Sequence, residues 1–310
     1  MTLDPETRNG YFISAEMKKI WAVEMELLKK LLEVCEKYNL RIFAEGGTLL
    51  GAVREHGFIP WDDDIDMAML RDDYDKLQAI AKDEFKSPFF FQSGYTDEFS
   101  NGFTRIRMDG TAAILPQSVW HKCHQGIFID LFPLDVVPDN EKELDRFVKE
   151  KIEKKERLTH YCNNYFSILN WKYNWYLFRI KLEIRKNGFY KIFGEYDRFI
   201  KQYWNTDNHR VSLISWLYSP VYLREKSWYF KQIKMPFEDI MIPVPYNYDY
   251  VLRRQFGDYM KPVKAPNMHG GFFIIDTNHS YKEYLHECRR KVRKDEWKKR
   301  WDNFKRFFID

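Results

Sequence analysis

The sequence lacks several features that would place it in a class at once. No run of 18 apolar residues occurs in its 310 residues, so we expect no membrane-spanning helix. The four cysteines are scattered without a C-x-x-C pair, which argues against a disulfide framework or a zinc ribbon and favours reduced thiols. Residues 1–10 are polar and include two acids, unlike a secretory signal. We therefore expect a cytoplasmic protein.

The sequence also lacks a large excess of one charge. Fifty Lys and Arg residues against 46 Asp and Glu residues leave a formal charge of +4, and the sequence has no nucleic-acid-binding motif, so we expect no nucleic-acid partner. Aromatic residues, in contrast, make up 18% of the chain. Such rings can build the core, lie at a membrane interface or contact a ligand cation, and composition does not decide between these uses.

Hydrophobic spacing predicts an α+β fold. Residues 1–140 mix short β-prone runs with amphipathic helices, which is typical of a mixed sheet with flanking helices. Residues 141–310 contain long stretches that are rich in Lys, Arg and rings and poor in Pro and Gly, so we predict a mainly helical part. We expect this part to pack on the core and to complete the acceptor site.

The densest chemistry lies in an acidic loop. Residues 61–67 read WDDDIDM, with four acids within five positions. Asp64 and Asp66 are two residues apart at the head of a predicted strand, so their side chains share one face. Two carboxylates on one face suit Mg²⁺ or Mn²⁺, which prefer oxygen ligands and keep positions for phosphate. The loop therefore predicts a divalent-metal site.

A glycine pair precedes this loop. Gly46 and Gly47 follow a predicted strand and open a predicted helix, which presents backbone N–H groups to an anion. A strand, Gly-Gly, a short helix and then Asp-x-Asp on the next strand resemble the nucleotidyltransferase superfamily and imply its mixed sheet core. A glycosyltransferase Asp-x-Asp motif, which holds a metal on a nucleotide diphosphate, stays open as an alternative.

The resemblance becomes more specific over four segments. They read FAEGGTLLGAVR in 43–54, GFIPWDDDID in 57–66, GIFIDLFPLD in 126–135 and FGDYMKP in 256–262. These segments resemble the LicD family of phosphotransferases, to which fukutin and fukutin-related protein are related. The family resemblance implies transfer of phosphocholine or a similar phospho-alcohol from a CDP-linked donor, CDP-choline or a CDP-polyol, to a hydroxyl of a glycan or lipid-linked glycan. CMP is released, and the products belong to surface glycans such as lipopolysaccharide or teichoic acid.

The resemblance also implies the catalytic and metal-binding acids. Asp64 and Asp66 match the pair that binds Mg²⁺ or Mn²⁺, and Asp130 matches the third acid of the site. Asp135 is the alternative third acid, but Pro133 and Leu134 place it in a turn after the strand that we predict over 127–131. We expect Asp64, Asp66 and Asp130 to carry catalysis and to bind the metal.

The same comparison implies a set of donor-binding residues. Gly46, Gly47 and Thr48 are expected to contact donor phosphate through backbone N–H groups and a hydroxyl. Arg54 is expected to reach a phosphate or to anchor the acidic loop. Arg105 and Arg107 alternate on a predicted strand and share a face, and the resemblance favours Arg107 as the pyrophosphate ligand.

The carboxy-terminal helix, predicted over 281–308, bears on localisation. It is rich in Lys and Arg, with Trp297, Trp301 and Phe304 interleaved, so we expect peripheral contact with the inner membrane face. A stripe of these rings docked on the domain is the competing interpretation.

Two other functions also stay open. One is a nucleotidyltransferase or a metal-dependent glycosyltransferase that uses a nucleotide-sugar donor. The other is an inactive glycan-binding or membrane scaffold.

Overall fold

The computed structural model describes residues 2–162, 171–263 and 273–309, without the side chains of 117, 160–162, 296, 299, 300 and 302–309. The strands are β1 (Glu6–Arg8), β2 (Tyr11–Ile13), β3 (Phe43–Ala44), β4 (Asp66–Leu70), β5 (Phe89–Gln92), β6 (Thr104–Met108), β7 (Ala112–Ile114), β8 (Phe128–Val136), β9 (Arg210–Leu213), β10 (Leu223–Glu225), β11 (Gln232–Phe237), β12 (Ile240–Pro245) and β13 (Ile274–Asp276). The helices are α1 (Ala15–Lys37), α2 (Gly46–Arg54), α3 (Arg71–Glu84), α4 (Glu141–Cys162), α5 (Trp171–Asn187), α6 (Phe189–Ile200), α7 (Tyr248–Phe256) and α8 (Tyr281–Ile309). This mixture of helices and open sheets confirms the predicted α+β class.

The long strand β8 organises the main, seven-stranded sheet. On one side it pairs in parallel with β4, which in turn pairs with β3. On its other side, its first half pairs antiparallel with β6 and its second half with β9. The strands β5 and β10 extend the sheet beyond β6 and β9. The centre of the sheet is therefore the β4–β8 pair, and every residue of β8 is buried.

Helix α1 supplies much of the core beside this sheet. It begins after Ser14, whose hydroxyl accepts a hydrogen bond from the Met17 amide at 3.2 Å, as an N-cap does. Trp21, Leu28 and Leu31 recur at the spacing of one helical face and are fully buried. The helix predicted over 14–38 is thus present, and its inner face packs on the core.

The second half of the chain contributes strands as well as helices. Strands β9 and β10 come after residue 140 and join the main sheet, so the sheet continues across the predicted division at that residue. Helices α4, α5 and α6 share a smaller buried cluster that includes Phe147, Ile180 and Phe193. Of the helices in the described ranges, none combines the length and apolarity needed to cross a bilayer.

Helix α8 confirms the predicted carboxy-terminal helix. Its first turns pack through Tyr284, Leu285 and Cys288 on a small cluster that includes Ile114 of β7. Further along, Trp297 and Trp301 are 71% and 58% exposed, so much of each ring surface is open to solvent. The side chain of Phe304 lies outside the description. Membrane contact through α8 stays a prediction.

Candidate active site at the start of helix α2

The first turn of α2 lies against the first residue of β4. The amide of Glu45 donates to the carbonyl of Asp66 at 3.0 Å, and the amide of Asp66 donates to the hydroxyl of Thr48 at 2.8 Å. Gly46 has a φ of +53°, and a Cβ on it would lie 3.1 Å from Asp66 Oδ2. Glycine is needed here both for the left-handed backbone and for the close approach of the carboxylate. The helix start and Asp66 therefore form one unit, as predicted from their spacing.

The acidic loop folds back over the same helix start. A Cβ on Gly47 would collide with the carboxylate of Asp62, so that carboxylate lies directly against the amide end of α2. The indole N–H of Trp21 donates to the Asp62 carbonyl at 3.0 Å, and its ring stacks on Phe58 at 4.4 Å between centroids. The amides of a first helical turn have no acceptor within the helix, and they favour an anion. The aromatic pair thus holds the loop at a place suited to phosphate.

Carboxylates crowd together in this loop. Oxygen atoms of Asp62, Asp63 and Asp64 lie within 4.8 Å of one another, and these form the one such group of three potential metal ligands in the described residues. Desolvation, followed by repulsion from Asp64 and Asp63, raises the pKa of Asp62 well above its ordinary value. The pKa of Asp66 is also raised well above its ordinary value, by desolvation and then by Asp64 and Asp130. Mutually repelling oxygen ligands of this kind fit a hard divalent cation such as Mg²⁺ or Mn²⁺.

Asp130 reaches the site through the sheet. It is the parallel register partner of Asp66 on β4 and the antiparallel partner of Arg105 on β6. Arg105 donates to both of its carboxylate oxygens, at 2.7 and 3.3 Å, and both side chains are buried. The structure therefore brings Asp130 next to Asp66, as predicted. It also gives Asp130 a fixed cationic partner, which the sequence alone did not indicate.

Asp135 does not belong to this cluster. It lies within β8 rather than in the expected turn, because β8 continues through Pro133 to Val136, five residues beyond the predicted end at residue 131. Five positions separate it from Asp130, so the two side chains point to opposite faces of the sheet. On its own face, Asp135 accepts two hydrogen bonds of 2.6 Å from Arg71 and is fully buried. The placement in a turn was wrong, and Asp135 belongs to an internal ion pair.

The two arginines predicted as donor ligands lie in different surroundings. Arg107 is buried beside Arg105, where desolvation, with that neighbouring cation as the second cause, lowers the pKa of Arg107 to about 9. Its guanidinium donates to the amide oxygen of Gln92 and to the carbonyl of Gly126, both neutral acceptors. Arg54, in contrast, ends α2, about 12 Å along the helix from Gly46.

Arg54 joins two of the segments that carried the family resemblance. It donates to Glu55 at 2.6 Å and to the carbonyl of Tyr259 at 2.8 Å. Tyr259 lies in segment 256–262, so the guanidinium links that segment to α2. The structure therefore does not bring Arg54 to the acidic cluster, and donor binding by Arg54 and by Arg107 stays a prediction.

Sequence reasoning missed Glu24, which lies on α1 and faces the acidic loop. Its side chain is 3% exposed, and Oε2 has no hydrogen-bond partner within the described residues. Burial raises the pKa of Glu24 well above its ordinary value, and the charges of Asp64 and Asp63 add to that increase. Its position among apolar residues of an amphipathic helix was the available signal, because an acid on a buried helical face needs a charged partner or a cation.

Sequence reasoning also missed Arg224, which connects the second half of the chain to the helix start. The carboxylate of Glu45 accepts two hydrogen bonds of 2.6 Å from Arg224, which is fully buried. Arg224 also donates to the hydroxyl of Tyr229 at 2.6 Å and to Gln255 at 2.9 Å. This pair fixes the residue before Gly46, so β10 helps to position the glycine turn.

An aromatic group lies in the segment that leads into β10. Trp216 packs on Tyr222 and Tyr218, with ring centroids 6.2 and 6.0 Å apart. Desolvation, followed by the neighbouring Tyr218 and Glu45, raises the pKa of Tyr222. Tyr218 is 64% exposed, whereas Trp216 and Tyr222 are half-buried and the guanidinium of Arg224 lies 5.9 Å from the Tyr222 ring.

His124 has a partner for each of its ring nitrogens. Its ring stacks on Phe90 at 5.0 Å and contacts Tyr281 at 4.8 Å between centroids. Nε2 lies 3.0 Å from Asp109, and Nδ1 accepts from the amide of Gly126 at 3.1 Å. The imidazole therefore anchors α8 to the sheet region.

Comparison with known proteins finds similarity in the part of the chain that forms this site. Residues 39–160 match the model described as LicD/FKTN/FKRP, nucleotidyltransferase domain. The lipopolysaccharide cholinephosphotransferase LicD of Haemophilus influenzae is 32% identical over 145 residues, which are 43% of this chain and 52% of that protein. An uncharacterized protein of Rickettsia prowazekii is 38% identical over 103 residues, 33% of this chain and 35% of that protein. The matches thus span about half or less of these relatives' length.

The family match covers the parts that form the site. It includes Glu45 to Thr48, the acidic loop and Asp130, and it ends before the strands that supply Arg224. Glu24 lies before the matched range, on α1. Residues 39–160 of this chain are therefore similar to the LicD/FKTN/FKRP nucleotidyltransferase domain.

Proposed function

We propose that this chain transfers a phospho-alcohol, with phosphocholine as the first choice, from a CDP-linked donor to a glycan hydroxyl and releases CMP. The observation that carries the proposal is the meeting of the α2 amide end with the carboxylates of Asp62 and Asp66. Amide donors beside carboxylates are suited to a pyrophosphate that binds together with a divalent cation. The similarity to a cholinephosphotransferase supports the same class of reaction.

The reaction exchanges one phosphate ester bond for another. The acceptor oxygen bonds to the phosphorus that carries the alcohol, while the bond from this phosphorus to the bridging oxygen of CMP breaks. CMP leaves with that oxygen, and the hydroxyl proton passes to a carboxylate of the site. Mg²⁺ or Mn²⁺, when bound, supplies positive charge that offsets the charge of the pyrophosphate.

Each group of the chain has a defined part in this scheme. The amides of Gly46 and Gly47 bind phosphate oxygens, and Asp64 and Asp66 would hold the cation, with Glu24 as an additional carboxylate. Asp130 accepts the proton or completes the cation site, and Arg105 keeps its carboxylate in one orientation through two hydrogen bonds. A carboxylate so oriented can act on a substrate hydroxyl without first rearranging.

The aromatic group favours a cationic alcohol over a polyol. Ring faces attract a quaternary ammonium through their negative quadrupole, whereas a polyol requires hydrogen-bonding groups. The exposed ring of Tyr218, which packs on Trp216, is the candidate for such a contact. We therefore rank CDP-choline ahead of CDP-ribitol and CDP-glycerol, and we place the reaction at the cytoplasmic face of the membrane with a lipid-linked glycan as acceptor.

A donor screen tests this proposal. The purified chain is incubated with Mg²⁺, glycolipid extract and, separately, CDP-choline, CDP-ribitol, CDP-glycerol, UDP-sugars and CTP with an alcohol phosphate, and the released nucleotides are separated by chromatography. We expect CMP, with CDP-choline as the fastest donor. Release of UDP would identify a glycosyltransferase, and release of pyrophosphate a nucleotidyltransferase. If none of the donors is consumed, the result favours an inactive scaffold, and each of these three outcomes contradicts the proposal.

A further inference from the structure

Helix α5 has two apolar faces. Leu177, Ile180 and Ile184 are buried against the neighbouring helices. On the opposite side, large apolar residues spaced by four, three and four positions form one exposed stripe. They are Trp171 (72% exposed), Trp175 (57%), Phe178 (46%) and Leu182 (47%). The rings of Trp175 and Phe178 contact each other at 5.6 Å between centroids. A continuous exposed stripe of this size is typical of an interaction surface.

Basic residues flank this stripe, which we call the α5 outer face (Trp171, Trp175, Phe178 and Leu182). Lys172, Arg179 and Lys186 follow one side of it at helical spacing, and Lys181 and Arg185 follow the other. The helix contains one acid, Glu183, and this residue is paired with Arg157 of α4 at 3.3 Å. The surface thus combines apolar rings in the middle with positive charge on both sides.

We propose that the α5 outer face docks on an anionic lipid surface. Trp and Phe side chains fit the interface between headgroups and acyl chains, while flanking Lys and Arg contact lipid phosphates. The charge pattern is the reason for choosing lipid: a protein partner would need an acidic rim that matches both basic edges, whereas an anionic bilayer presents negative charge on every side of an inserted stripe. This proposal is independent of the transfer reaction and of membrane contact through α8.

The test is flotation of the full chain with lipid vesicles, either neutral phosphatidylcholine or phosphatidylcholine with phosphatidylglycerol. The informative variant is Trp175→Ser combined with Phe178→Ser, and the matched control is Phe230→Ser, an aromatic residue that is 55% exposed elsewhere. A second variant, Trp297→Ser with Trp301→Ser, removes the exposed rings of α8. Circular dichroism melting confirms that the variants fold, and size-exclusion chromatography with light scattering measures self-association.

We expect binding to anionic vesicles that weakens in high salt and falls by roughly tenfold or more in the α5 variant, because two inserted rings are lost. The Phe230→Ser control should bind as the unmodified chain does. Absence of binding to any vesicle would overturn the proposal, and so would unchanged binding by the folded α5 variant. An oligomer that dissociates in the α5 variant would assign the face to a second copy of the chain and would equally overturn it.

Discussion

Replacement of Glu24 by Gln should weaken divalent-cation binding without damaging the fold. Glu24 is buried on α1, and its Oε2 has no partner within the described residues. Its pKa is raised by desolvation and then by the four aspartates of the site. Gln keeps the shape of the side chain but removes its negative charge. If Glu24 helps to hold the cation, the variant loses one charged oxygen ligand and retains a neutral one.

The expected magnitude follows from the place of Glu24 beside the loop acids. Loss of a supporting group at a metal site typically costs about 10- to 100-fold in affinity. That range corresponds to about 1.4 to 2.7 kcal/mol of binding free energy. The metal-free variant should be at least as stable as the unmodified chain, because the substitution removes a carboxyl group from a buried, repelling cluster.

Two measurements check this prediction without depending on catalysis. Titration with Mn²⁺, followed by the electron paramagnetic resonance signal of the free ion, gives the affinity, and thermal melting with and without Mn²⁺ gives the stabilisation. Glu26→Gln is the matched control, since Glu26 is an exposed acid on the same helix. Wild-type affinity in Glu24→Gln would refute the role of Glu24 at the cation site. A much less stable metal-free variant would instead assign Glu24 to the fold.

Three further predictions concern buried charges. Glu45→Gln leaves Arg224 buried without its carboxylate and should lower the free energy of unfolding, measured in urea, by about 3–5 kcal/mol. Adding Arg224→Met should recover part of that loss. If it recovers nothing, the ion pair is not the cause. Asp135→Asn should lower stability because it leaves Arg71 buried without its carboxylate, but the folded protein should keep its activity. Asp130→Asn should instead abolish turnover. The reverse pattern in a CMP-release assay would show that Asp135 is the third acid. Burial lowers the pKa of His124 from 6.5 to about 4 in the folded protein. Because the folded protein binds this proton more weakly than the unfolded chain does, the neutral imidazole favours folding above pH 6.5. This contribution, at most about 3 kcal/mol, is lost as the pH falls from 6.5 towards 4. His124→Gln should flatten that part of the stability curve, and an unchanged slope in urea titrations would contradict the assignment.

The parts of the site that are near one another in sequence could be predicted. The glycine pair, the short helix and the Asp-x-Asp strand lie within about twenty residues, and their order determines that Gly46 and Asp66 meet. Asp130 required the family resemblance, because the parallel pairing of β4 with β8 joins residues 64 positions apart. The α+β class could also be predicted and was confirmed, because the local spacing of hydrophobic residues determines the helices and strands.

The missed features all depend on contacts between distant segments. Strands β9 and β10 are only four and three residues long. They are stabilised by pairing, β9 with β8 and β10 with β9. Arg224 and Glu45 are 179 residues apart, so no local sequence pattern predicts their pairing. The turn assigned to Asp135 failed because Pro133 lies inside a strand, paired with Met69 on β4. Tertiary context decided these positions over local preference.

The most direct test of the proposed function compares CMP release from CDP-choline by the unmodified chain and by Asp66→Asn, each with Mg²⁺ and with excess EDTA. Asn keeps the size of the side chain and its place beside Gly46 but removes the negative charge that would bind the cation. We expect CMP release by the unmodified chain in Mg²⁺ alone, and a rate lower by orders of magnitude both in EDTA and in the variant. Undiminished CMP release by Asp66→Asn, or by the unmodified chain in EDTA, would contradict the assignment of this site.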